Sequence, residues 1–107
     1  MNYKMKLRVM ADFNNSGIWE IAAAPSQERH IMLDYEELGL PQELADKFRA
    51  WIESYWKYLD DPKHFDFAAF NRTGKQLARE LKTFLGKEYY VEFEGERKLA
   101  TGKDEEV

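Results

Sequence analysis

Met5, Leu7, Val9, Ala11 and Phe13 alternate with Lys4, Lys6, Arg8, Met10 and Asp12, the two-residue period of a strand buried on one face. Asn14-Asn15-Ser16-Gly17 follows, a cluster suited to a turn, and Ile18 to Ala22 resumes an extended pattern, so the two segments predict an antiparallel hairpin. A third strand over 30–35 has poorer alternation, because Ile31, Met32 and Leu33 are consecutive. The period then changes. Leu44, Phe48, Trp51, Ile52, Tyr55 and Leu59 recur at helical spacing behind Gly39 and Pro41, which predicts a helix over 41–59 with Pro41 at its first position and Asp60-Asp61-Pro62 as its stop. Phe70, Gly74, Leu77, Ala78, Leu81, Phe84 and Leu85 mark a second helix, with Asp66 as N-cap and Gly86 in a left-handed C-terminal position. Gly74 lies on the apolar face, where a missing side chain lets another backbone approach closely. Tyr89, Val91 and Phe93 alternate with Tyr90, Glu92 and Glu94 in a last strand ending at Gly95.

Strands with one apolar face need a covering layer, and the two helical stripes supply it. The predicted fold is α+β: a two-layer sandwich in which a small antiparallel sheet, in the order β-β-(β)-α-α-β, packs on two helices. Residues 1–95 form one domain on this reading, and residues 96–107, polar and without period, form a frayed C-terminal tail. A chain of 107 residues has room for one core, and 16 aromatic residues (7 Phe, 6 Tyr, 3 Trp) fill it with bulky side chains.

Charge changes the picture more than size does. Residues 28–66 carry ten acids and five bases, while residues 67–87 carry one acid and five bases. An acidic middle favours a basic partner and disfavours general binding to nucleic acid, whose affinity comes from counterions released by cationic side chains. With no cysteine there is neither a disulfide scaffold nor a thiolate nucleophile or ligand. The N-terminus lacks the continuous apolar run of a signal peptide, and no stretch is long and apolar enough to span a bilayer, so a cytoplasmic location without membrane association is expected.

Candidate chemistry is thin. His30 and His64 are 34 positions apart with no metal-ligand spacing, and no metal or cofactor is expected. Ser16, Ser26 and Ser54 lie in no nucleophile motif, and no catalytic residue is assigned. Asp60, Asp61 and His64 form the least implausible polar cluster for a small enzyme or ligand-binding domain, although a helix stop explains the aspartates better. Lys4, Lys6 and Arg8 on one strand face, and Lys75, Arg79 and Lys82 on one helix face, could imitate a nucleic-acid platform with Tyr3 and Tyr90. Glu92 and Glu94 on the last strand are placed to pair with that strand face, so structural charge is favoured. Trp56 and Tyr58 flank the first helical stripe. Beside acids, these residue types serve as half-buried core margin or as binding anchors.

One succession of residues carries a resemblance: Ala11-Asp12-Phe13, Gly17-Ile18-Trp19, Gly39-Leu40-Pro41 opening a helix with Trp51 and Tyr55, then Phe70, Gly74, Leu77-Ala78, Leu81, Leu85-Gly86 and a final strand. Over roughly residues 5–93 the chain resembles small bacterial immunity proteins that neutralise toxins of polymorphic or contact-dependent growth inhibition systems. Arg97-Lys98 depart from the pattern, lying beyond the strand where such proteins commonly end. The resemblance implies a cytoplasmic inhibitor that binds a cognate toxin domain, often a basic nuclease, without chemistry of its own and as a monomer or weak homo-oligomer. The expected partner surface is Asp34, Glu36, Glu37, Asp60 and Asp61, with Trp56 and Tyr58 as anchors.

Overall fold

The structure is a computed structural model and describes residues 3–12, 15–21, 30–95 and 105–107. The elements run β1 (Met5–Met10), β2 (Ile18–Ile21), β3 (His30–Met32), α1 (Gln42–Ser54), α2 (Trp56–Asp60), α3 (Phe67–Leu85), β4 (Tyr89–Glu94) and β5 (Glu105–Glu106). The expected α+β sandwich is present, with the helices packed on one side of a sheet ordered β3-β2-β1-β4-β5. Alternation does what it predicts: Leu7, Val9, Ile18, Val91 and Phe93 are essentially inaccessible and meet Phe48, Trp51, Leu77 and Leu81 from the helices.

Several details differ. The sheet is mixed, not purely antiparallel, because β4 lies parallel to β1 with Leu7 opposite Val91 and Val9 opposite Phe93. The chain between β3 and β4, which includes the helices, is long enough for the crossover a parallel pairing requires. The third strand exists as three residues at the sheet edge, where it pairs with β2 only among the described residues. β1 stops at Met10, three residues before Phe13, which lies outside the described residues. Residues 96–104 also lie outside them, but the chain's end is in the sheet: Glu105–Glu106 pairs with β4, and the Val107 N–H donates to Val91 O at 3.0 Å.

The first helix begins one residue later than expected, with Pro41 in an extended cap conformation (φ −58°, ψ 145°). It is also interrupted at Tyr55. The Ser54 hydroxyl donates to Trp51 O at 2.6 Å, and the Tyr55 N–H turns to Ile52 O at 3.0 Å, a tightened turn of the kind that side-chain back-bonding produces. Leu59, expected on the buried stripe, is 55% exposed.

α3 matches its sequence signals at the start. Asp66 caps it, with its carboxylate accepting from the Ala69 N–H at 2.9 Å. At the end Gly86 takes φ 91° but ψ −178°, so the chain leaves in an extended, positive-φ conformation open to glycine and not in a left-handed helical turn. Gly74 is buried, and what approaches it is side chain, not backbone. A Cβ there would stand 2.4 Å from Trp51 Cζ2 and 2.6 Å from Phe93 Cε1. The missing atom admits the Trp51 ring, which stacks on Phe70 at 4.8 Å and donates from Nε1 to Phe70 O at 3.0 Å.

Candidate partner-binding surface around helix α2

The interruption at Tyr55 decides the shape of the helical face. It sets α2 as a short ridge with a hollow on each side. Trp56 points into one hollow, while Lys57, Asp60 and Asp61 border the other. The expected surface residues are therefore divided by the ridge.

The first hollow, of about 530 Å³, is walled by Asp34, Tyr35 and Glu36 from the turn after β3, by Met32 at the end of β3, and by Glu53 and Trp56. Its position follows from local bonding. The Asp34 N–H donates to Glu37 Oε1 at 3.2 Å, the Leu40 N–H to Tyr35 O at 3.1 Å, and the Tyr35 hydroxyl to Ser16 O at 2.8 Å, which ties this turn to the β1–β2 turn. Burial pushes the Tyr35 phenol up to about 12, and the Arg49 guanidinium, 5.0 Å from the ring centre, opposes that rise. Arg49 also reaches Asp46 at 3.0 Å. Asp34, Glu36 and Glu53 set three carboxylates against that one cation, and Trp56 and Met32 are each 41% exposed. Acidic and apolar side chains thus face the same opening.

The second hollow is a larger, open trough of about 1080 Å³ between α1–α2 and α3. Asp60 and Asp61 lie at one end. His64, which lines the same end, has Nδ1 2.8 Å from Asp61 Oδ2, with side chains 81% and 58% exposed, so the three residues of the expected polar cluster are brought together at the trough's open margin. At the other end Lys47 bridges to Glu80 at 2.9 Å, and the hydrogen bond that its ammonium donates to that carboxylate raises the lysine pKa above its ordinary value.

Glu37 stands apart from both hollows, its carboxylate bonded back to the Asp34 amide. Tyr58 is half buried, its ring stacked on Tyr55 at 5.8 Å and edge-on to Phe65 and Phe67. Sequence reasoning missed Met32, Glu53 and the trough walls. Glu53 was findable, since it precedes Trp56 by three residues and falls on the same side of the helix predicted over 41–59. Met32 was not, because its place depends on the crossing of strand and helix.

On the basic strand face Arg8 is paired within the fold, and Lys4 lies over the Tyr89 ring. Arg8 Nε lies 3.2 Å from Glu92 and its guanidinium 3.8 Å from Glu94, the cross-strand pairing that the parallel register allows. Lys82 donates to Tyr89 O and lies over the Tyr3 ring. Among the described residues no group of three or more His, Cys, Asp or Glu side chains could hold a metal ion, and no helix is long and apolar enough to cross a membrane.

No curated protein matches the sequence. Residues 5–96 match the family described as Serratia CdiI immunity protein-like. That span runs from the first residue of β1 past the end of β4 and contains α2 and all the residues bordering both hollows, so the chain belongs to this family of contact-dependent inhibition immunity proteins.

Proposed function

We propose that this protein binds a cognate toxin domain in the cytoplasm and neutralises it through the face around α2, without catalysing a reaction. Family membership supports the toxin-binding role. The observation that carries the choice of face is the gathering of Asp34, Glu36 and Glu53 around an opening that also exposes Trp56 and Met32. Carboxylates at the rim speed encounter with a basic partner and reject acidic ones, while a tryptophan desolvated on binding supplies affinity. The acidic middle of the chain favours a basic toxin, and a nuclease has that character because its own substrate is a polyanion.

Co-expression with the toxin domain encoded by the neighbouring gene tests the proposal. A stable complex that survives purification and restores growth is expected. Failure of both complex formation and protection would refute it.

A further inference from the structure

The trough on the solvent side of the helical layer has a shape and an electrical polarity of its own. Lys47 meets Glu80, Trp51 meets Phe70, and Tyr58 meets Phe67, so α1–α2 and α3 run antiparallel. The furrow between residues 47–60 and 66–80 is about 20 Å long at 1.5 Å per residue. Its floor is formed by Trp51, Phe70 and Leu77, and its middle is walled by small side chains, Ala50 and Ser54 on one bank and Ala69 and Thr73 on the other. With a volume of about 1080 Å³ it is open to solvent, unlike the concave clefts that bury most of a small molecule's surface. Small banks let a third helix approach to the usual 8–10 Å between axes.

The charges choose the orientation. At one end Lys47 and Glu80 neutralise each other at 2.9 Å. Away from that pair, Asp60, Asp61 and Asp66 outnumber Lys57 and Arg72, and the three acids gather toward the other end. A helix N-terminus carries about half a positive charge, which an acidic end attracts and which a basic side chain there would reinforce.

We infer that the trough seats a helix of the bound toxin, apolar face down, with its N-terminal or basic end at Asp60, Asp61 and Asp66 and its direction parallel to α3. This rests on the toxin-binding reading above. The two hollows then grip the partner on both sides of α2.

The test uses the full chain and the cognate toxin domain in calorimetric titrations. Ala50→Arg and Thr73→Arg each place a long cation on an exposed bank without touching the core, and each should weaken the complex at least 30-fold while the thermal melt of the free protein stays unchanged. Asp60→Lys combined with Asp61→Lys should weaken it about tenfold. A photo-crosslinking side chain at Gln76, on the α3 bank with Thr73, should attach to a helical segment of the toxin, a readout that needs no bulky charge in the trough. Arginine variants that bind within threefold of the unsubstituted protein, or crosslinks to a strand or loop, would overturn the inference. So would a dimer of the free protein that Ala50→Arg dissociates without changing toxin affinity, which would assign the trough to a second copy. Should the unsubstituted protein form no complex at all, the toxin-binding reading falls first and this inference with it.

Discussion

Gly74 shows how one absent atom organises the core. Any β-carbon would overlap the indole of Trp51, and that ring cannot retreat, being 3% exposed, stacked on Phe70 and hydrogen-bonded to its carbonyl. Alanine should gain up to about 1 kcal/mol of helix propensity and lose about 1–3 kcal/mol to overpacking. Gly74→Ala should therefore lower stability in urea denaturation, whereas a gain would mean that Trp51 has room to move. Position 74 was legible as an apolar-face glycine, but not what filled its space, because the ring comes from a helix 23 positions earlier. Tyr35 makes a second prediction at this scale. Its phenol titrates near 12 against an ordinary 10.0, since burial disfavours the anion. The neutral form stabilises the fold fully below about pH 10, and that contribution is lost as pH rises through 12. Ultraviolet titration should show a late phenol that Tyr35→Phe removes, and its persistence in the variant would reassign the shift.

Helices and strands were readable where each side chain's place depends only on its own element. The 3.6-residue stripe of α3 from Phe70 through Leu81 and the alternation of β1 and β4 became buried faces because one layer covers one side of each, whereas Phe84, expected on the same stripe, is 44% exposed. The single helix over 41–59 failed at Tyr55 because a serine hydroxyl competes locally for Trp51 O, a bond that hydrophobic periodicity does not register. Strand direction was invisible too, since alternation is the same whichever way β4 runs beside β1. Among the caps, Asp66 is the most testable. Replacing it by alanine removes the acceptor for the Ala69 N–H and should cost about 1 kcal/mol, while Asp66→Asn should retain most of that. Equal losses in thermal melts of the two variants would point to the charge and not to the cap.

At the scale of the molecule, the charges divide between two tasks. Arg8 with Glu92 and Glu94 works inside the sheet layer, and the acids around α2 face outward. The candidate surface was partly legible for this reason: acids and rings dense in one stretch of chain can be counted, but their division into two hollows by the ridge of α2 depends on a break the pattern hides. Outward acids at a partner surface predict salt-sensitive association. Raising salt from 50 to 500 mM should slow toxin capture several-fold with a smaller effect on release, as steering requires, and an unchanged on-rate would remove charge from the recognition. Trp56→Ala should cost about 2 kcal/mol, roughly 30-fold in Kd. The most direct measurement of the central claim is hydrogen–deuterium exchange of the protein free and bound to its toxin domain. Slowed exchange around Asp34–Glu36 and from Glu53 through Asp61 is the expected result, and protection confined to the sheet residues Lys4–Arg8 and Tyr90–Glu94 would contradict it.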